Sequence, residues 1–111
     1  MEVSFKTKKL KIICDNERKM VAAYGQNNAK KLGRRLAELL AAESLADISH
    51  RPPPRCHELS GTLKGTLSVD LAQPFRLLFK PDHEPIPTKP DGGIDRTKVT
   101  AVIVIGIEDT H

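Results

Sequence analysis

The chain has 111 residues and a formal net charge of +4, from 18 lysine and arginine residues against 14 aspartate and glutamate residues. A chain of this length forms one ordinary domain that buries roughly two-thirds of its unfolded surface, which argues against a second domain. The positive charge suits an anionic partner such as RNA, although many proteins with other functions share it.

The two cysteines, Cys14 and Cys56, are too few for a disulfide scaffold and are not spaced as metal ligands. We therefore expect a reducing, cytoplasmic environment and a protein with no metal and no cofactor. The first residues contain no apolar run of signal-peptide length, and no stretch approaches the roughly 18 apolar residues of a membrane span. The sequence therefore predicts a protein that is neither exported nor embedded in a membrane.

The first half of the chain predicts a short strand followed by helices. Residues 3–5 are β-like, and residues 8–15 and 15–24 form two helical stretches, with Asp15 as the cap of the second and Gly25 as its end. From residue 28 to about residue 45, apolar residues recur at three- and four-residue steps, the pattern of an amphipathic helix.

The polar face of that helix carries mostly basic residues, namely Lys30, Lys31, Arg34, Arg35 and Glu38. Such charges most often form a solvated face, and direct contact with RNA is the alternative.

The second half of the chain predicts an antiparallel sheet. Three consecutive prolines within residues 51–55 end the helical half, because proline lacks a backbone N–H and pushes its predecessor towards extended geometry. Residues 56–59, 66–71 and 75–80 predict strands, and residues 99–107, β-branched almost throughout, predict a central strand. The intervening residues 81–98 are rich in proline and glycine and predict an exposed, mobile loop.

Strand alternation assigns the faces of this sheet. It places Ser68 and Asp70 on the face away from the core, and a turn that pairs Leu71 with Phe75 sets Asp70 across from Arg76. The inward positions are Leu67, Val69 and Leu71 on one strand and Phe75, Leu77 and Phe79 on the next.

The predicted class is therefore α+β, a single domain over residues 1–111. Its N-terminal short strand and helices pack on a small antiparallel β-sheet. One sheet face packs on the long helix, and the other is left as a shallow, partly basic concavity.

An ordered set of short motifs resembles the HigB (plasmid maintenance killer) branch of the RelE/ParE superfamily over nearly the whole chain. HigB-like proteins typically carry a His-x-Leu-x-Gly segment, a glycine before a Ser-hydrophobic strand, an aromatic-Arg pair and an Asp-Tyr-His ending. Here Thr110 stands at the usual tyrosine, and Asp70 adds a negative charge near the expected phosphate site. The matching residues are Arg55-Cys56-His57-Glu58-Leu59-Ser60-Gly61, Lys64-Gly65, Ser68-Val69, Phe75-Arg76-Leu77 and Glu108-Asp109-Thr110-His111.

The resemblance implies a RelE/ParE-like fold and the toxin of a type II toxin–antitoxin system. Its activity would be metal-independent, ribosome-dependent cleavage of messenger RNA, which inhibits translation. It also implies a HigA-like antitoxin partner with a helix-turn-helix domain, through which alone the complex contacts operator DNA. No membrane partner is expected.

Metal-independent cleavage requires a site that deprotonates the 2′-hydroxyl, stabilises the phosphorane and protonates the leaving 5′-oxygen. Arg76 is the candidate for the phosphate, because its planar fork offers two hydrogen bonds, and pairing with Asp70 is the alternative. His111 is the first candidate for proton transfer and His57 the second, since histidine titrates near pH 6.5. A frayed terminus and a half-buried structural histidine are their respective alternatives. The candidates for contact with the RNA backbone are Arg55, Lys64 and Lys80.

Two other functions stay open. One is a ParE-like protein that binds DNA gyrase and cleaves nothing, and the other is a catalytically silent homologue that binds the antitoxin. The aromatic content is low, with no tryptophan, one tyrosine and three phenylalanines, so the chain offers little for base stacking. A nuclease of this composition would depend on the ribosome to hold its RNA.

Overall fold

A computed structural model describes residues 1–109 of the chain. Within that range the fold is α+β, with three α-helices and one five-stranded mixed sheet. No helix among these residues is both long and apolar enough to cross a membrane. The elements in chain order are β1 (Glu2–Phe5), α1 (Lys8–Cys14), α2 (Glu17–Tyr24), α3 (Gln26–Ala41), β2 (His57–Glu58), β3 (Leu67–Asp70), β4 (Phe75–Pro81) and β5 (Ala101–Asp109).

The sheet has the strand order β1-β5-β4-β3-β2. Strands β2 to β5 pair antiparallel with their neighbours, but β1 lies parallel to β5, with Val3 opposite Val102. The prediction of a wholly antiparallel sheet is therefore wrong at this edge. Parallel strands need a long connection, and here the helices and three further strands separate β1 from β5. The interior position predicted for the last strand is confirmed, because β5 has neighbours on both sides.

The helix boundaries follow local capping. The side chain of Asn16, rather than the predicted Asp15, caps α2 by accepting a hydrogen bond from the backbone N–H of Lys19 at 3.1 Å. Asp15 instead ends α1 and pairs with Lys11 one turn earlier. Gly25, with φ 84°, ends α2 as predicted and begins α3 at once, so the long helix starts earlier than the sequence pattern indicated.

The core lies between the helices and one face of the sheet. On α3, Leu32 and Leu39 are fully buried, whereas Leu40 is 60% exposed. Arg35 was expected on the solvated face, but it is only 4% exposed, because it borders the apolar side of α3, and it pairs with Glu38 at 3.2 Å. The sheet contributes the largest buried residues, which include Phe79, Leu67, Leu77, Val69, Val102 and Val104.

The opposite face of the sheet is partly covered, so the prediction of an open concavity is wrong along part of its length. Ser68 and Leu78, paired across β3 and β4, are 0% and 2% exposed. Phe75 was expected to point into the core, but it is 40% exposed. It is the first residue of β4 and pairs with the exposed Asp109, so it lies at the open end of the sheet.

The connection between β4 and β5 is mostly exposed but carries local structure. Thr88 and Ile94 form an isolated β-bridge, and a short 3-10 turn covers Arg96–Lys98. Ile94 packs against the core, and Val99, just after the turn, is fully buried. The end of the connection is therefore anchored to the body of the protein.

The packing of α3 gives a stability prediction. We expect Leu32→Ala to lower the free energy of unfolding by about 2–5 kcal/mol, because it removes a fully buried side chain and leaves a cavity. Leu40→Ala in the same helix should change it by less than about 0.5 kcal/mol. Urea unfolding followed by circular dichroism measures both, and equal losses would contradict the described orientation of α3.

Candidate functional site

A carboxylate on the sheet face away from the core gathers the predicted site residues. Asp70, at the end of β3, accepts two hydrogen bonds from Arg55, with Nε–Oδ2 at 2.6 Å and Nη2–Oδ1 at 2.9 Å. This is the two-point geometry in which a guanidinium binds a carboxylate most strongly. The same hydrogen bonds raise the pKa of Arg55 above its usual value.

The proline-rich turn before β2 sets the position of Arg55. The backbone N–H of Arg55 donates to the carbonyl of Arg51 at 3.0 Å, and the N–H of Asp70 donates to the carbonyl of Pro54 at 2.8 Å. These bonds hold the turn against the end of β3. Arg55 itself has φ 48°, a left-handed conformation that non-glycine residues seldom adopt. Its ion pair with Asp70 favours retention of this strained backbone.

Arg76 reaches the same carboxylate through strand register. It lies directly opposite Asp70, as predicted, and its Nε is 3.7 Å from Asp70 Oδ1. On the other side, β5 places Glu108 opposite Arg76. The side chain of Arg76 is 11% exposed, whereas that of Arg55 is 34% exposed. Arg55 is thus the more accessible of the two arginines.

His57 completes the cluster. Its Nε2 lies 3.4 Å from Nη1 of Arg76, and its Nδ1 lies 3.2 Å from the backbone carbonyl oxygen of Arg55. Because a carbonyl oxygen can only accept, this contact assigns the ring proton to Nδ1 and leaves Nε2 with its lone pair. His57 on β2 pairs with Ser68 on β3, so its contact with Arg76 on β4 passes over β3.

The structure thus brings together Arg55, His57 and Arg76, and we call these residues with Asp70 the Asp70 cluster. Lys64 and Lys80 lie outside it. Lys64 is exposed after the short turn Gly61–Leu63, and Lys80 is exposed four residues beyond Arg76 on β4. His111 falls outside the described residues.

Arg96 is a basic neighbour that the sequence reading missed. Its Nη1 donates to the carbonyl of Cys56 at 3.5 Å, immediately before His57. The contact joins the connection before β5 to the strand that carries the histidine. Arg96 and Cys56 are 40 residues apart in the sequence, and no local pattern indicates that they are in contact.

The cysteines lie in the core and not in the cluster. Burial raises the pKa of both Cys14 and Cys56 to about 11, and the charge of Asp15 adds to the effect at Cys14, whereas Arg96 opposes it at Cys56. A thiol with so high a pKa is a poor nucleophile near neutral pH, because the thiolate is the reactive form. Cys56 therefore packs beside the site without supplying a nucleophile.

Two further features bear on the choice of site. Within residues 1–109, no three His, Cys, Asp or Glu side chains are arranged to hold a metal ion. A groove of about 440 Å³ lies beside the end of α3 and is lined mainly by alanine, isoleucine and proline, with Glu38 and Asp47 as its ionisable residues. It lacks a cation or a histidine, so the Asp70 cluster is the better candidate for chemistry on a phosphate.

Compared with known proteins, the sequence matches no protein-family model and no curated protein.

The burial of the thiols gives a second prediction. In the folded protein at pH 8, iodoacetamide should leave both Cys14 and Cys56 unmodified, since their pKa values of about 11 leave little thiolate and the side chains are buried. Both should react after unfolding in guanidinium chloride. Mass spectrometry counts the added groups, and rapid labelling of the native protein would show that the described core is wrong around the reactive cysteine.

Proposed function

We propose that this chain is a metal-independent endoribonuclease that cleaves messenger RNA on the ribosome, as the toxin of a type II toxin–antitoxin system. The observation that carries the proposal is the Asp70 cluster. Two arginines and a histidine from two separate motifs, at positions 55, 57 and 76, meet on one sheet face. They are the residue types that cleavage through a 2′-hydroxyl requires.

In the proposed reaction, Arg76 Nη1 first releases its contact with His57 Nε2 and turns to the phosphate. The freed lone pair of Nε2 takes the proton of the 2′-hydroxyl, and the 2′-oxygen attacks the adjacent phosphorus. Arg55 and Arg76 stabilise the negative charge of the phosphorane, which requires the phosphate to replace Asp70 on at least one of them. The bond to the 5′-oxygen breaks, and that oxygen takes a proton from His111. The products are a 2′,3′-cyclic phosphate and a free 5′-hydroxyl.

The wider assignment rests on the motif set that resembles HigB-like members of the RelE/ParE superfamily. An α+β fold with its helices on one face of a small sheet is compatible with that superfamily. We therefore propose a RelE/ParE-like toxin that acts in the cytoplasm and is neutralised by a HigA-like helix-turn-helix antitoxin. Lys64 and Lys80, both exposed, are proposed to contact the RNA backbone.

Reconstituted cleavage tests the proposal. The protein should cut messenger RNA on programmed ribosomes and leave naked RNA intact, because the chain has few aromatic residues to hold a base. Arg76→Ala should reduce the cleavage rate by about 10²- to 10³-fold, the usual effect of removing one stabilising donor. Primer extension maps the cuts, and the exposed Arg18→Ala on α2 is the matched loss of charge that should leave the rate unchanged. Comparable cutting of naked RNA would contradict ribosome dependence.

The same assay separates the two histidines. His57→Ala should lower the rate by about 10²- to 10⁴-fold if His57 is the base. Deletion of Thr110 and His111 should lower the cleavage rate by a similar factor if the terminal histidine is the general acid. Thermal unfolding of each variant checks that the loss is one of rate rather than of fold. If the truncated protein keeps full activity, His111 has no role.

A second candidate function has its own support in the Asp70 cluster. Both arginines already contact one carboxylate, and Glu108 lies opposite Arg76, so the site holds its charges largely compensated. This arrangement favours a catalytically silent RelE/ParE-like protein that binds a protein partner, either the antitoxin or, as in ParE-like proteins, DNA gyrase.

Asp70→Asn distinguishes the two candidates. The asparagine keeps the shape but removes the charge that competes with phosphate, so a nuclease should cleave faster at low substrate concentration through a lower KM. A silent protein should remain inactive. Thermal stability should fall under either candidate, because two arginines lose their anionic partner, so the cleavage rate is the deciding measurement. The measurement is the cleavage rate on programmed ribosomes at several concentrations, with Asp47→Asn as a charge-matched control away from the cluster.

A further inference from the structure

A groove on the sheet lies beyond the Asp70 cluster and includes Lys80, for which only a contact with the RNA backbone has been proposed so far. It measures about 220 Å³ and is lined by Lys6, Lys80, Ile103 and Ile105. Lys80 and Ile103 are directly paired across β4 and β5, and the backbone N–H of Lys6 donates to the carbonyl of Val104 at 2.9 Å. Two exposed ammonium groups thus border a floor of two isoleucines.

The groove and the Asp70 cluster share one face of β4. Along a strand, alternate residues share a face, so Arg76, Leu78 and Lys80 follow one another on it. Four residues at about 3.3 Å each place the backbones of Arg76 and Lys80 about 13 Å apart. This separation exceeds one nucleotide and suits a short single-stranded segment.

Between Arg76 and Lys80, the sheet surface has an open position at Gly106, which we call the passage. Gly106 lies opposite Leu78, and a β-carbon added at Gly106 would meet no atom within 4 Å. Leu78 itself is only 2% exposed, so the open position between Arg76 and Lys80 is at Gly106 of β5. An acidic residue also lies near the far end, because Asp82 Oδ2 is 3.4 Å from the hydroxyl of Ser4. Asp82 is not among the residues that line the groove.

We propose that this face is a track for single-stranded RNA, in which a flanking phosphate binds between Lys6 and Lys80 and the strand crosses Gly106 to the Asp70 cluster. This proposal rests on the proposed function, because the track would give the RNA substrate of that nuclease a second point of attachment. Two flexible ammonium groups bind a phosphate as point charges. The isoleucine floor offers an apolar surface to the sugar or base without selecting a sequence.

Binding of a short fluorescent single-stranded RNA, fully 2′-O-methylated so that it cannot be cleaved, tests the track by anisotropy over a range of salt concentrations. The double variant Lys6→Ala/Lys80→Ala should bind about tenfold more weakly at low salt. Its plot of log affinity against log salt should be shallower by about 0.7, the value for one phosphate contact on a single strand. Lys19→Ala/Lys98→Ala removes two exposed lysines outside the groove and should change neither quantity.

Gly106→Val tests the path rather than the charge. Valine favours strands, and its β-carbon would meet no atom within 4 Å at this position, so the thermal stability should be unchanged or higher. RNA binding should nevertheless weaken several-fold, because the side chain fills the passage. Normal binding by either the groove double variant or Gly106→Val overturns the track, and so does an equal loss in the Lys19/Lys98 control.

Failure of the track and failure of the proposed function give different results. If messenger RNA is cleaved on ribosomes but the groove variants bind and cleave normally, the track is wrong and the nuclease stands. If the wild-type protein never cleaves but the groove variants selectively lose RNA binding, the track stands and the nuclease is wrong. Absence of binding by the wild-type protein at low salt overturns the track.

Discussion

The ionised carboxylate of Asp70 is the charge on which the candidate site depends. Its side chain is only 14% exposed, and a carboxylate so far removed from water requires charged or hydrogen-bonding partners. The fold supplies these partners by two independent routes. The proline-rich turn brings Arg55 from one side, and the register of β3 and β4 brings Arg76 from the other. These two arginines in turn position His57, because its ring nitrogens contact the backbone carbonyl of Arg55 and the guanidinium of Arg76.

The same carboxylate limits what the site can bind. Two guanidinium groups face one aspartate directly, and Glu108 lies opposite Arg76 on the neighbouring strand, so little uncompensated positive charge remains to attract a phosphate from solution. A phosphate that is already held in place has less entropy to lose and can compete with Asp70 more effectively. If the proposed function is correct, this balance is a physical reason for the nuclease to need a ribosome that presents its RNA in a fixed position.

Local patterns in the sequence predicted much of the fold and part of the site. Gly25 as a helix end and Arg76 opposite Asp70 both follow from spacing and turn chemistry, and the structure confirms them. The parallel pairing of β1 could not be predicted, because it joins residues about a hundred positions apart with no turn to set the register. Arg55 was expected either to contact RNA or to be merely solvated. Its ion pair with Asp70 depends on a left-handed backbone after the prolines, which no residue type at that position indicates.

An irregularity in the last strand explains why its pattern was ambiguous. The sequence is apolar at both odd and even positions of β5, which predicted burial on both faces. The register instead shifts between Leu78 and Phe79, so that Phe79 pairs with Val104 while Leu77 pairs with Ile107. One extra residue in β5 thus moves the inward positions from even to odd numbers, as a β-bulge does. Before the bulge Val102 and Val104 are buried, and after it Ile107 packs on the core.

This bulge also determines which residues of β5 accompany the site. Without the extra residue, alternation from Val104 would direct Gly106 and Glu108 towards the helices. With it, Gly106 lies opposite Leu78 and Glu108 opposite Arg76, both on the face that carries the Asp70 cluster. A charged Glu108 turned into the core would be strongly destabilising, whereas beside Arg76 it has a cation opposite it. The stability of the core and the composition of the candidate RNA face are therefore both set by the same single inserted residue.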